Sequence, residues 1–143
     1  ERLPHEDHAV RLGLVDLALD TFVHAGGVTT TDALCTGLPV LVMQDKATLD
    51  TTGISLVRAA GLPELMTNSE SSYIRRAVDL ARNPGELSSI RNKLEEAIDR
   101  PAPLFDNYRL TRDLEKSFEQ MWSCYQSQTP PKNIVITDEI ADV

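Results

Sequence analysis

Two adjacent glycines, Gly26 and Gly27, stand between two apolar runs and are followed, after Val28, by a series of threonines. The runs at 14–20 and 39–43 predict strands that are covered on both faces, as strands in parallel sheets are. Parallel neighbours need a crossover connection, and 29–36 has the composition of a short helix between them. This strand, loop, helix and strand order predicts an α/β domain of Rossmann type.

The glycine pair also suggests chemistry. Residues without side chains let backbone N–H groups approach a ligand closely. Thr29 and Thr30 would add hydroxyl donors at the end of the helix where its dipole is positive. A diphosphate fits such a site, while a plain tight turn with ordinary helix capping is the alternative interpretation.

The rest of the chain predicts mainly helices, with one weak strand at Leu65–Met66 and strand-like content at 133–137. Complete sheets of this type have about 4 to 6 strands, so we expect an incomplete sheet whose other strands precede Glu1. We expect one lobe over 1–128, followed by a linker and an acidic tail at 129–143. Helices are expected at 4–12, 51–60, 69–82 and 84–98, with a last one starting at Asp106 or Asn107.

Charge and composition exclude several classes of partner. The net charge of −8, without any basic cluster, argues against binding to nucleic acid or to an anionic membrane. No run of about 20 apolar residues is present. Cys35 and Cys124 lie far apart in the sequence and are expected to be free thiols, which favours a reducing, cytoplasmic setting. The His, Asp and Glu residues show no metal-ligand spacing, so no metal site is predicted.

Short motifs resemble a known family. From about Pro4 to Trp122 the chain resembles the O-GlcNAc transferase and SPINDLY family (glycosyltransferase family 41), particularly its bacterial members. Within that span, 14–42 resembles the C-terminal, donor-binding half of GT-B glycosyltransferases. The motifs that carry the resemblance are Gly61-Leu62-Pro63-Glu64-Leu65, Pro103-Leu104-Phe105-Asp106, Thr111-Arg112-Asp113-Leu114-Glu115 and Met121-Trp122.

The resemblance implies a GT-B-type, Rossmann-like C-terminal domain that binds a nucleotide sugar, with UDP-GlcNAc as the expected donor and no other cofactor. The implied reaction transfers the sugar to Ser or Thr hydroxyls of a protein or peptide acceptor. The catalytic lysine of the family is expected upstream of Glu1, so no catalytic residue is assigned here. In the isolated chain, where neighbouring strands are missing, we expect the first strand to expose an apolar face that permits a homodimer.

Donor-binding residues follow from matching positions. Pro4–His8 corresponds to the family's Pro-Lys-Glu-Glu-His segment near the uridine, with His5 in place of the lysine. Ala25–Thr29 corresponds to the Asn-Gly-His-Thr-Thr loop, with Gly27 and Val28 as the departures. The resemblance also places an aspartate near the ribose and an arginine one turn after the histidine. The donor-binding residues it implies are His8, Arg11, Gly26, Gly27, Val28, Thr29, Thr30 and Asp32.

The departures at His5, Gly27 and Val28 leave a second hypothesis open. They remove one cation and two hydrogen-bonding side chains, so the chain would also suit a degenerate, non-catalytic module for protein interaction or scaffolding. Independently of that hypothesis, the alternative interpretation of His8 and Arg11 is a solvated helix face, and that of Asp32 is local capping or pairing.

Overall fold

A computed structural model describes residues 4–22, 24–44 and 50–136 of the chain. The chain folds into two units, Glu1–Phe105 and Asp106–Val143. The first unit contains α1 (His5–Leu12), β1 (Ala18–Leu19), α2 (Val28–Cys35), β2 (Val40–Met43), α3 (Thr52–Ala59), a 3-10 turn (Pro63–Leu65), β3 (Met66–Thr67), α4 (Glu70–Arg82) and α5 (Pro84–Asp99). The second contains α6 (Asn107–Gln126).

The strands form a parallel sheet in the order β1-β2-β3. The central strand is buried along Val40, Leu41 and Val42, which means that both of its faces are covered. This confirms the predicted α/β class and the parallel connection through α2. The register pairs Ala18 with Val40, Leu19 with Leu41, Val42 with Met66, and Met43 with Thr67.

The core lies around β2, where α2, α3, α4 and α5 contribute apolar side chains. On α5 the buried residues Ile90 and Leu94 are four apart, as a single buried helix face requires. Gly37 and Gly61 follow α2 and α3 with φ of 78° and 79°, so glycine is favoured where these helices end. The largest fully buried side chains include Leu34, Leu38, Leu41, Leu62, Leu65, Leu80, Leu94, Val40, Val42 and Val57.

The first predicted strand is wrong in its extent. Only Ala18–Leu19 of 14–20 pairs with β2. Before them the chain continues in turns, since the N–H of Leu14 donates to the oxygen of Arg11 and Val15 exposes 44% of its surface. The apolar character of this segment therefore does not reflect burial in a sheet.

Other boundaries differ less. The weak third strand is present, one residue later than predicted, as Met66–Thr67. The strand-like content at 133–137 forms no strand over 133–136, and Thr137 lies outside the described residues. The acidic tail at 137–143 lies outside them as well.

The second unit is built on α6. Asp106 caps its start by accepting from the N–H of Arg109 at 2.8 Å. The apolar stripe of this helix is largely exposed, and it includes Phe118 at 61% and Trp122 at 59% exposure. None of the helices in the described part of the chain has the length and apolar character that crossing a membrane requires.

Candidate functional site

The start of α2 has an open set of backbone donors. The first helical hydrogen bond runs from the N–H of Thr31 to the oxygen of Gly27 at 3.0 Å. The N–H groups of 28–30 precede that bond and therefore have no partner in the helix. Within the described ranges no side chain caps this end, and Val28 is 77% exposed. Val28 and Thr29 are exposed and Thr30 is buried, so the positive end of the helix is open to an anion on the side of Val28 and Thr29.

Close packing around position 26 requires glycine there. A Cβ atom on this residue would lie 2.5 Å from Oγ1 of Thr30 and 2.7 Å from Oγ1 of Thr29, so only glycine fits beneath the two hydroxyls. Gly27 differs, because the nearest atom to its Cβ position is Cγ2 of Thr52, at 3.9 Å. The two glycines therefore differ: Gly26 makes room for the threonine hydroxyls, whereas a side chain at Gly27 would make only an ordinary contact with Thr52.

Two carboxylates hold the loop that precedes α2. Asp20, directly after β1, accepts the N–H of Gly26 at 2.8 Å through Oδ1. Asp50 accepts the N–H of Ala25 at 3.0 Å through Oδ2 and the N–H of Thr52 at 3.0 Å through Oδ1. Neither aspartate was among the site residues predicted from the sequence. The available signal was their position, one at the end of a predicted strand and one just before a predicted helix.

The hydrogen bonds of Asp50 stabilise its charged form. The Thr52 N–H first, then the Thr52 side chain and the Ala25 N–H, lower the pKa of the Asp50 carboxyl, and His24 adds a smaller effect of the same sign. Nδ1 of His24 lies 3.1 Å from Oδ2 of Asp50. An ionised Asp50 therefore connects the loop before α2, which contains Gly26 and Gly27 and is called the glycine loop below, to the start of α3.

Three predicted donor-binding residues meet between α1 and α2. Nη2 of Arg11 lies 2.8 Å from Nδ1 of His8, in position to donate to it. With Nδ1 as the acceptor, the ring proton is on Nε2, which lies 3.9 Å from Oδ2 of Asp32. The side chains of His8 and Asp32 are about three-quarters buried, with 24% and 26% exposure. Arg11, His8 and Asp32 thus form a polar chain across the two helices.

The family-model comparison matches residues 2–114 with the model described as glycosyl transferase family 41. The chain belongs to this family. Probable UDP-N-acetylglucosamine--peptide N-acetylglucosaminyltransferase SPINDLY proteins are 34% identical in Solanum lycopersicum and 36% in Eustoma exaltatum subsp. russellianum, each over 123 residues. Each match covers 86% of this chain and 13% of the relative.

A solved O-GlcNAc transferase has the same fold over the matched part of its chain. The structure of Thermobaculum terrenum O-GlcNAc transferase mutant K341M matches with a TM-score of 0.76 and 32% identity, covering 87% of this chain and 24% of that chain. The present chain therefore spans a small part of its relatives. The expectation of a bacterial-type member is not supported, because plant SPINDLY proteins match this chain strongly.

At two loop positions the family resemblance predicts side chains other than those present in this chain. The resemblance predicts histidine and threonine at positions 27 and 28, where Gly27 and Val28 stand, and no side chain among the described residues caps the start of α2. The side chain of His5, the third departure, lies outside what the structure describes.

The first unit also contains a cleft and a small cavity. A cleft of about 580 Å³ adjoins β3 and includes Gln44, Asn68 and Arg75 in its lining, but none of the predicted donor-binding residues. A cavity of about 60 Å³ between α1 and α2 is lined in part by His8 and Asp32. Among the described residues, no group of three His, Cys, Asp or Glu side chains is placed to hold a metal ion.

Proposed function

We propose that this chain binds the donor in a glycosyltransferase that moves GlcNAc from UDP-GlcNAc to Ser or Thr hydroxyls of a protein acceptor. The names of the relatives support the donor and the acceptor class. The observation that carries the proposal is the open N-terminus of α2, with hydroxyls of Thr29 and Thr30 folded over Gly26.

The diphosphate of the donor would bind at that helix end. As the bond to the sugar breaks, negative charge builds on the leaving diphosphate, and prearranged N–H donors stabilise it. Each charge-assisted hydrogen bond of this kind contributes about 1.5–3 kcal/mol. The N–H groups of 28–30 and the Thr29 hydroxyl are the proposed donors. Gly26 contributes by its missing side chain, because its own N–H is already bonded to Asp20.

The nucleoside would lie toward α1. Asp32 follows Val28 by four residues on α2, so both are on the same side of the helix. Its carboxylate is proposed to accept the ribose hydroxyls, and Arg11 with His8 to face the uracil carbonyls or the diphosphate. This arrangement uses the polar chain already formed by Arg11, His8 and Asp32.

The proposal extends to setting and assembly. Both cysteines are free, which supports a reducing compartment, the cytoplasm. Among the described strands, β1 is paired along one edge only, and Leu19 within it exposes 57% of its surface. Leu14, in the turn that follows α1, exposes 80%, and this apolar surface supports a homodimer of the isolated chain. Light scattering of the isolated chain over a concentration series tests the dimer. A mass that stays at that of the monomer, with intact secondary structure, contradicts it.

Calorimetry with UDP and UDP-GlcNAc on the full-length protein tests donor binding. Gly27→Val combined with Thr29→Val adds bulk beside the helix start and removes a hydroxyl, so we expect at least about a tenfold loss of affinity. Thr111→Val, on α6, where the hydroxyl donates only within its own helix to the oxygen of Asn107, is the matched control and should leave affinity unchanged. Unchanged affinity in the double variant would contradict the diphosphate site.

A second candidate function is a non-catalytic protein-interaction module. Val28, 77% exposed where the family has a hydroxyl, is the observation that favours it. Saturation-transfer NMR with UDP-sugars and GDP-sugars on the full-length protein separates the two functions. Binding of either nucleotide supports the donor site, and no binding by a folded protein supports the interaction module.

A further inference from the structure

Asp20, directly after β1, accepts three hydrogen bonds. Its Oδ1 accepts two backbone N–H groups, from Thr21 at 3.0 Å and from Gly26 at 2.8 Å. Its backbone oxygen accepts the hydroxyl of Tyr73 at 2.9 Å. The residue therefore links the end of β1, the loop before α2 and the first turn of α4.

The space for this carboxylate depends on two glycines from different parts of the chain. A Cβ atom on Gly53, in the first turn of α3, would overlap Oδ2 of Asp20. A Cβ atom on Gly26 would lie 3.1 Å from Oδ1 of Asp20. The other neighbours of the Gly53 Cβ position are ordinary contacts, 3.4 Å from Cβ of Ala25 and from Cγ1 of Val42. Glycine at 53 is thus needed mainly because Asp20 is present.

We propose that Asp20 is the positioning residue of the diphosphate site, and that Gly53 is the residue that admits its carboxylate. By holding the N–H of Gly26, Asp20 fixes the loop from which α2 begins and so sets the direction of the open N–H groups at 28–30. This inference rests on the proposed function, since it concerns the same site. It adds a residue that does not contact the donor and acts through the loop.

The two hydrogen bonds from the loop need an acceptor oxygen on residue 20 but not the negative charge of its carboxylate. Both backbone hydrogen bonds end on Oδ1, while Oδ2 contacts Gly53. Asparagine retains one carbonyl oxygen in that position and loses the negative charge, which would otherwise repel a nearby diphosphate. Asp20→Asn should therefore preserve UDP affinity within about threefold, whereas Asp20→Ala removes the acceptor and should lower the affinity at least about tenfold.

The test uses the full-length protein with Asp20→Ala, Asp20→Asn, Gly53→Ala and the Asp20→Ala/Gly53→Ala double variant. Two readouts are measured, UDP affinity by calorimetry and hydrogen exchange of the Gly26 amide without ligand. We expect faster exchange and weaker UDP binding in Asp20→Ala and in Gly53→Ala. In the Asp20→Ala background, Gly53→Ala should add less than about a twofold further loss, because the overlapping oxygen is gone.

The outcomes separate this inference from the proposed function. If the wild-type protein does not bind UDP, the proposed function fails, while exchange at Gly26 still decides whether Asp20 fixes the loop. Unchanged exchange and affinity in Asp20→Ala, or additive losses from Asp20→Ala and Gly53→Ala, overturn the inference. If Asp20→Ala does not fold, the comparison of Asp20→Asn with Gly53→Ala decides instead, and a loss in Asp20→Asn as large as in Gly53→Ala overturns it.

Discussion

The hydroxyl of Tyr73 donates to the backbone oxygen of Asp20 at 2.9 Å, across a sequence separation of 53 residues. The ring of Tyr73 also packs edge-on against Phe22, with 4.8 Å between ring centroids. One aromatic residue on α4 therefore holds the end of β1 and the segment just after it. The glycine loop starts from that fixed point.

Tyr73 should give a late phenol titration. Burial first, and then the charge of Asp20, raises the pKa of Tyr73 to about 12. Because this folded value is above the ordinary value of about 10, its contribution to stability is complete below about pH 10 and is lost as the pH rises toward 12. Ultraviolet titration should show a component near pH 12 that Tyr73→Phe removes.

The same substitution also tests the hydrogen bond. At neutral pH, Tyr73→Phe should lower the free energy of unfolding in urea by about 1 kcal/mol, since it leaves the Asp20 oxygen without this donor. Tyr125→Phe, on the exposed face of α6, is the matched control. Equal stability of the wild-type and Tyr73→Phe proteins would show that the bond contributes nothing.

Asp50 should make the loop acid-sensitive. The N–H groups of Thr52 and Ala25 favour the ionised carboxylate and lower its pKa in the folded state. Its contribution is therefore present above the unfolded pKa of about 3.9 and is lost as the pH falls through the lower folded value. Asp50→Asn should be less stable than the wild type near neutral pH, and the difference should shrink on acidification.

The control for this acid experiment is Asp99→Asn at the end of α5. Thermal unfolding of both variants and the wild type is followed over a pH series at constant ionic strength. A difference between wild type and Asp50→Asn that stays constant as the pH falls would contradict the role of the ionised carboxylate.

Gly26 and Gly27 should respond differently to alanine. Gly26→Ala forces a Cβ atom against the hydroxyls of Thr29 and Thr30, and such overpacking typically costs about 1–3 kcal/mol. Gly27→Ala meets nothing closer than 3.9 Å and has φ of −98°, so it should be nearly neutral for stability. Urea unfolding of the two variants checks this. A larger loss in Gly27→Ala than in Gly26→Ala would contradict the packing described here.

Asp32 should recognise the ribose if its proposed role is correct. The wild-type protein should bind UDP more tightly than 2′-deoxy-UDP, and Asp32→Ala should remove most of that preference, about tenfold for a lost charged hydrogen bond. His8 and Arg11 remain in Asp32→Ala, so binding of 2′-deoxy-UDP should change little. Calorimetry with both nucleotides measures this, and an undiminished preference would assign Asp32 a purely structural role.

The predicted and observed strands differ where sequence patterns are ambiguous. Val40, Leu41 and Val42 are apolar and buried on both faces, so composition and burial agree. Leu14 and Val15 are apolar as well, but their N–H groups donate to backbone oxygens at the end of α1, and neither residue joins the sheet. A short apolar run does not show whether a neighbouring strand is present to pair with it.

The site shows the same limit. The local sequence predicted a turn at the glycine pair and a short helix that begins at the threonines, because turn and helix-start preferences act between residues close in the chain. The chain of contacts from Arg11 through His8 to Asp32 joins two helices. Sequence supplied these residues through the family resemblance, and the packing of α1 on α2 brought them together.

The sequence alone determined the parallel α/β order, the helix boundaries to within a few residues, and the place of the glycine loop. These features depend on periodicity, glycine and capping residues that act over a few positions. The tertiary structure alone decided that Asp20 and Asp50 accept hydrogen bonds from N–H groups of the glycine loop. It also decided that Gly53 makes room for the carboxylate of Asp20. The physical reason is that these contacts join the ends of different elements, whose distances are set by packing of the whole core.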